Sequence, residues 1–499
     1  MKATRPARAV AFVLLLGATL AAAATTSATL SPATATFTLR AGDPVLGVAT
    51  EVKTVGVPAK PASADVEIAI DTTGSMGPSI AQAKADALAI VAGVQASVPD
   101  TQFAVVQFKD AGSAPEYQVE QALTGNAAAV QTAINGLGAA GGGDLPEAHN
   151  RVFRESHTPA LGGPIGWRSG SRKFVVVISD AQPHGNVLAQ GFAGCANVSA
   201  DPNGFTTSTE LAGMAANERT LLMIRQAASA STSLACYQSL VAAGFSGGAA
   251  VDGGGSLAAQ IVALINAAFA NVNDVHLEVV SAAPAPANAS WIAFNPASRG
   301  PVPAPSAQTF DLTVTVPAGT PAGSYVFDIR AVADGADIGH QTLTVNVPPK
   351  QITLTPVSDA NPIGTSHTVT ATVFDSLGPF VGDAVTFAVT SGPVAVPSGA
   401  VTPTGATGQA AFTFTNTPSF PGTNTVTATV AANDGPVTAT ATKEWVNAPP
   451  DCSGVTLDVT RLWPPNHKLR WVEASGATDP DIGDSVTLVV TGVTQDEPV

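Results

Sequence analysis

The spacing of apolar residues changes once along this chain, near residue 274, and the change separates two kinds of structure. Before that point, short mostly apolar runs at 66–70, 103–108, 173–179 and 220–224 read as buried strands. Between and after them, the segments 80–98, 127–137, 147–155, 210–216, 235–243 and 257–269 read as helices. Strands separated by helices predict a parallel sheet covered on both faces, a doubly wound, Rossmann-like α/β domain over 63–273. Beyond 274 the period becomes two. Thr309-Phe-Asp-Leu-Thr-Val-Thr-Val316, Tyr325-Val-Phe-Asp-Ile-Arg-Ala-Val332 and Thr342-Leu-Thr-Val-Asn-Val347 alternate, with Pro, Gly and Asp between them. This predicts an all-β sandwich over 274–348. Residues 349–446 repeat the pattern, with His367-Thr-Val-Thr-Ala-Thr-Val373 echoed by Asn424-Thr-Val-Thr-Ala-Thr-Val430. From 447 onward, runs at 455–459, 469–472 and 486–490 begin a further β module with fewer strands than a sandwich needs. Residues 25–62, rich in Ala, Thr and Pro with one alternating run at 35–39, read as a linker or a single added strand.

A chain of 499 residues is too long for one core, so several domains are expected. The formal charge of −15 argues against nucleic acid or an anionic membrane as partner. The N-terminus carries Lys2, Arg5 and Arg8, then an apolar run over 9–20, then Ala22-Ala23-Ala24. That order is a signal peptide, 1–24, and implies a secreted or cell-surface protein; no later stretch is long enough to span a membrane. An exported protein can hold disulfides. Of the three cysteines, Cys195 and Cys236 fall in the same expected domain and form the expected pair, leaving Cys452 over.

The candidate chemistry begins at Asp71-Thr72-Thr73-Gly74-Ser75, between the apolar run 66–70 and the helix that carries Pro78 near its first turn. One carboxylate and two hydroxyls at alternate positions sit where a strand ends and a helix begins. Ligands bind at that edge in open parallel sheets. Oxygen-only donors suit a hard divalent cation such as Mg²⁺. No His-Glu-x-x-His run, Gly-x-Ser-x-Gly loop or Gly-x-x-x-x-Gly-Lys loop is found.

The Asp-x-Thr-x-Ser pattern of Asp71, Thr73 and Ser75 resembles the first loop of a metal-ion-dependent adhesion site (MIDAS) in von Willebrand factor A domains. Gly141-Gly-Gly-Asp144-Leu-Pro146-Glu147 is similar to the Asp-x-Pro-Glu loop in the A-like domains of β integrins and in bacterial relatives. Phe174-Val-Val-Val-Ile-Ser-Asp180 resembles the family's fourth strand with its terminal Asp. The resemblance implies that Asp71, Thr73, Ser75 and Glu147 hold Mg²⁺ or Mn²⁺, with Asp180 acting through water. It implies one coordination position open to a partner's carboxylate. It also points to a second site, for Ca²⁺, built from Asp110, Asp144, the Pro146 carbonyl and Glu147, although Gly142 stands where such relatives carry Asn.

Asn361-Pro-Ile-Gly-Thr365, Asp383-Ala-Val-Thr-Phe387 and Gly405-Ala-Thr-Gly-Gln-Ala-Ala-Phe412 resemble bacterial immunoglobulin-like domains of the invasin and intimin type. Such modules in series make a spacer. Together these features lead to a non-enzymatic, extracellular adhesion protein that captures an acidic residue of a protein or matrix ligand. Two other readings stand beside it: the non-catalytic A-domain portion of a larger extracellular enzyme, and a passive structural repeat protein. Three weaker features remain. Asp479-Pro-Asp-Ile-Gly-Asp484 reads as a solvated turn in preference to a Ca²⁺ loop. Gly253-Gly-Gly-Ser256 reads as a strand-to-helix turn. Trp463-Pro-Pro-Asn-His-Lys468 resembles a motif of secreted bacterial modules.

Overall fold

The computed structural model describes residues 29–494, apart from 144, 228, 395, 418–419, 464–467, 482 and 493. The expected signal peptide, Asp144 and the centre of the Trp463 motif lie outside these residues. Among the described residues no helix is long and apolar enough to cross a membrane.

The α/β unit is built on six strands: β1 (Ser63–Asp71), β2 (Asp100–Phe108), β3 (Tyr117–Thr124), β4 (Arg172–Ser179), β5 (Arg219–Arg225) and β6 (Phe245–Asp252). Their spatial order is β3-β2-β1-β4-β5-β6, with only β3 antiparallel. The order in which strands are added therefore reverses between β1 and β4, which makes the carboxyl ends of these two parallel strands the crevice of a doubly wound sheet. Six helices cover it: α1 (Gly77–Gln95), α2 (Ala127–Gly136), α3 (His149–His157), α4 (Thr207–Ala216), α5 (Leu234–Ala243) and α6 (Leu257–Ala268). Helix α1 buries Ile80, Ala83, Ala87, Ile90, Val91 and Val94, one stripe at helical spacing, against Val66, Ile68 and Ile70 of β1. The opposite sheet face packs Ala69, Val175 and Val177 on α3, α4 and α5. The turn before α6 takes up an internal anion. Asp86 of α1 accepts hydrogen bonds from Ser256 Oγ and Ala258 N, both at 3.0 Å.

Two expected boundaries are corrected. Residues 25–62 are neither linker nor single strand. Thr29–Ser31, Thr34–Thr38 and Val48–Val57 are all strands of the sandwich expected from 274 onward. Val48–Val57 pairs antiparallel with Ser306–Thr315 along its whole length of 10 residues. Thr34–Thr38 adds in parallel to Ala336–Val347. The α/β unit is thus inserted into a sandwich whose strands come from both sides of it. That sandwich closes around Trp291, Phe310, Tyr325 and Phe327. The second correction concerns residues 447 onward. Among the described residues there, only Thr456–Leu457 and Ala474–Ser475 pair as strands. No second described sheet faces them, so the apolar residues stay in solvent: Leu469 is 105% and Trp471 95% exposed.

The joint between the inserted unit and its host sandwich lies at the amino ends of the strands. Arg172 Nη2, at the start of β4, pairs with Asp334 Oδ2 at 2.7 Å, both side chains buried. Asp334 also accepts from Asn273 N at 2.8 Å and Asp274 N at 2.9 Å. A second sandwich follows, with Trp445 and Phe387 in its core. It docks on the first through Arg40, whose Nε and Nη2 bind Asp375 at 2.9 and 2.6 Å while its guanidinium lies 4.0 Å from the centre of the Phe380 ring.

Two measurements follow. Truncating Asp334 to Ala leaves Arg172 as an unpaired buried cation and is expected to cost about 3–5 kcal/mol in urea denaturation. Glu67 sits in mid-β1 with neither carboxyl oxygen partnered. Burial pushes its carboxyl from 4.5 up to about 8, against the pull of Arg219 and with a push from Glu155. The folded chain keeps a proton that the unfolded chain releases, so this group's contribution falls as pH rises from about 4.5 to about 8. Glu67→Gln is expected to flatten that decline, read as urea midpoints across the same window.

Candidate metal centre

Asp71 is the last residue of β1 and is fully buried. Its Oδ1 accepts from Thr73 N at 2.9 Å and Thr73 Oγ1 at 2.7 Å; its Oδ2 accepts from Ser179 Oγ at 2.7 Å. Thr73 is extended and caps a short 3₁₀ turn, Gly74–Met76, that leads into α1. This turn brings Ser75 Oγ to 3.4 Å from Thr73 Oγ1. Ser75 is exposed, so the hydroxyl pair marks the mouth of the site and Asp71 its floor.

The loop before α3 is stitched to the same edge. Gly74 N donates to Gly141 O at 2.9 Å and Ala140 N to Thr72 O at 3.1 Å. Gly142 has φ +100, and a Cβ there would lie 3.3 Å from Thr73 Cβ, so glycine keeps this crossing open. Glu147 is held by its backbone between two strand ends. Its N–H donates to Gln182 O after β4, and the next N–H, of Ala148, donates to Lys109 O after β2, both at 2.9 Å. Asp180 follows β4 directly, and its carbonyl accepts from Ser231 N at 2.8 Å.

The carboxylates are near enough to act on one another electrostatically, and their charges do not cancel, although among the described residues no three of them bring their oxygens within 4.8 Å of one another. Glu147 is pushed up to about 11 by burial first, then by the charge of Asp71 and by nearby Asp110; Thr73 pulls the other way. Asp71 is raised to about 6, again by burial first, with hydrogen bonds from Thr73 and Ser179 opposing and Asp180 adding to the rise. Glu147 Oε2, Asp180 Oδ2 and Asp110 Oδ1 are buried without a hydrogen-bond partner. Buried polar atoms normally find one. The arrangement fits a hard cation: carboxylates and hydroxyls at one strand edge, with orphaned lone pairs and, among the described residues, no Lys, Arg or His paired with them.

The residues read from the sequence as ligands, Asp71, Thr73, Ser75, Glu147 and Asp180, therefore lie at one edge, with Asp110 beside Glu147. Pro146 is buried next to Glu147. Ser179 was missed as a donor to Asp71. Its signal was its place on the second of two adjacent strand ends. The imidazole of His149 belongs to the scaffold. It is fully buried against Phe108, Phe153 and Tyr237, and burial pushes it down to about 3. The loop after β4 is tied down by the expected Cys195–Cys236 disulfide, which fixes it to α5; Cys452 is free and exposed.

With this geometry in view, the comparisons are informative over part of the chain. Residues 66–159 match the family model of the von Willebrand factor A domain. This part of the α/β unit is von Willebrand A-like. The matched span runs from β1 to just past α3, so it includes Asp71, Thr73, Ser75, Asp110 and Glu147 and stops short of Asp180. No curated protein matches the chain. Among solved structures, the open conformation of the pilus adhesin SpaC from Lactobacillus rhamnosus GG is 9% identical over 87% of this chain and 79% of that one, with a TM-score of 0.31. The S-layer protein rSbsC is 16% identical over 37% of this chain and 21% of its own, at 0.20. A Dscam chain is 11% identical over 27% of this chain, which spans 30% of that one, at 0.16. All three TM-scores are low.

Gly142→Ala is expected to lose about 1–2 kcal/mol from its left-handed backbone alone. Crowding of Thr73 adds to this. Gly141, at φ +78 but with nothing within 4 Å of the methyl that alanine would add, serves as the control. A larger loss in Gly142→Ala than in Gly141→Ala, by urea denaturation, measures the contact with Thr73.

Proposed function

We propose that this chain is a secreted or surface-displayed binding protein whose A-like head uses a divalent cation to capture a carboxylate of an extracellular partner. Asp71, Thr73, Ser75 and Glu147 hold Mg²⁺ or Mn²⁺, and Asp180 acts through water. Asp110, with Glu147 and the Pro146 carbonyl, offers a neighbouring place for Ca²⁺, for which Asp144, outside the described residues, is the remaining expected ligand. The observation that carries this reading is the set of three orphaned, buried carboxylate oxygens beside the Asp71–Thr73–Ser75 turn. A cation there would offset the burial, and the repulsion from Asp71 and Asp110, that otherwise keep Glu147 protonated. An incoming carboxylate would then complete the shell at the exposed Ser75 side.

The role is binding and not catalysis. Every side chain aimed at the site is a carboxylate or a hydroxyl, and His149 is locked in an aromatic cluster where it stays neutral. A hydrolytic metal site calls for a free general base. The two sandwiches act as spacers, in the manner of invasin-type immunoglobulin-like modules, and present the head away from its attachment. The disulfide and the charged-then-apolar N-terminus support an extracellular location.

Titration calorimetry with Mg²⁺ on the full chain tests the site. One-site binding is expected in the wild type and none in Asp71→Ala, with Glu147→Gln weaker by tenfold or more. Full Mg²⁺ affinity in Asp71→Ala would overturn the assignment. Capture of a partner from native matrix or host extract should be lost in EDTA and restored by Mg²⁺.

A further inference from the structure

We propose that Asp479, Asp481 and Asp484 form a separate Ca²⁺ site that fastens residues 478–484 to the segment leaving the second sandwich. One carboxylate oxygen from each residue lies within 4.8 Å of the other two. Asp481 carries the argument. It is only 3% exposed, its Oδ2 accepts from Ala448 N, and its Oδ1 has no hydrogen-bond partner. A buried carboxylate is normally paired or fully hydrogen-bonded. Here the groups converging on it are two further carboxylates, and among the described residues no Lys, Arg or His forms an ion pair with any of the three. A cation would satisfy the orphaned Asp481 oxygen.

The donor set selects the cation. All three ligands are hard oxygens with no imidazole or thiolate, which disfavours Zn²⁺. Three carboxylates on a short loop suit Ca²⁺, which takes six to eight oxygens in flexible geometry and fills the rest of its shell with carbonyls and water. Mg²⁺ demands near-octahedral geometry and keeps more of its water. The backbone shows what the ion would fasten. Asp451 and Thr478 exchange hydrogen bonds at 2.7 and 3.0 Å, and Ala448 follows closely on the last strand of the second sandwich, Val437–Val446. This stretch has almost no other pairing and no buried apolar cluster among the described residues, so an ion would be its main cross-link.

The test uses the full chain carrying Asp71→Ala together with Asp110→Ala, which silences both head positions, titrated with CaCl₂ by calorimetry. One Ca²⁺ per chain is expected. Adding Asp484→Asn, an exposed change that keeps an oxygen donor, is expected to weaken binding tenfold or more, and adding Asp481→Asn as well to abolish it. Ca²⁺ should also slow proteolytic cleavage between 447 and 484 in the Asp71→Ala/Asp110→Ala chain and leave its Asp481→Asn/Asp484→Asn derivative unprotected. Absence of Ca²⁺ uptake by the Asp71→Ala/Asp110→Ala chain overturns the proposal, as does unchanged uptake and protection after both Asn substitutions. Loss of Mg²⁺ binding in Asp71→Ala bears on the head alone, so the two assignments fail separately.

Discussion

The antiparallel ladder between Val48–Val57 and Ser306–Thr315 is the constraint on which the rest of the molecule rests. It joins chain on either side of the α/β unit, so that unit is a closed excursion from one sandwich and not a bead on a string. Both of its ends emerge on the same side. The buried Arg172–Asp334 pair and the hydrogen bonds from Asn273 and Asp274 then fix the amino ends of the strands to the sandwich. The carboxyl ends, where Asp71 and Asp180 lie, are left at the opposite pole.

At that pole the fold concentrates negative charge with little to offset it. Asp71 is the best provided, with three hydrogen bonds, yet burial still raises it. Glu147 is raised by burial and by its acidic neighbours Asp71 and Asp110. Protons and a divalent cation bound as proposed would therefore compete for the same oxygens. The same conflict recurs on a smaller scale at Asp481, where one oxygen is satisfied by backbone and the other is not.

Much of this was legible in the sequence because it is local. An apolar run ending in Asp71, followed by hydroxyls and a Pro-led helix, specifies a strand-to-helix edge without knowledge of the remainder. Each further ligand loop likewise borders its own strand or helix. What was not legible depends on partners distant in sequence. Val48–Val57 alternates weakly and becomes a central strand only by pairing with Ser306–Thr315. Strand β3 is a polar edge, with Tyr117 its one fully buried side chain, and β6 is interrupted by Gly247 and Gly248, so neither shows an apolar run. The reverse error arose after 447. Leu469, Trp471 and Val489 have strand-like neighbours in sequence, but among the described residues no opposing layer buries them. Ser179 was legible as a strand end, but its hydrogen bond to Asp71 required knowing that β1 and β4 are neighbours.

The adjacency of β1 and β4 also has a mechanical meaning. Each strand begins at the joint with the host sandwich and ends at an acidic residue of the crevice, a run of about 25 Å at the usual rise per residue. They are hydrogen-bonded side by side along that run. The two form one paired unit, anchored at Arg172 and carrying Asp71 and Asp180 at its far end. Any force that turned the head on its sandwich would therefore carry both halves of the tip together, preserving their mutual spacing while changing where they point.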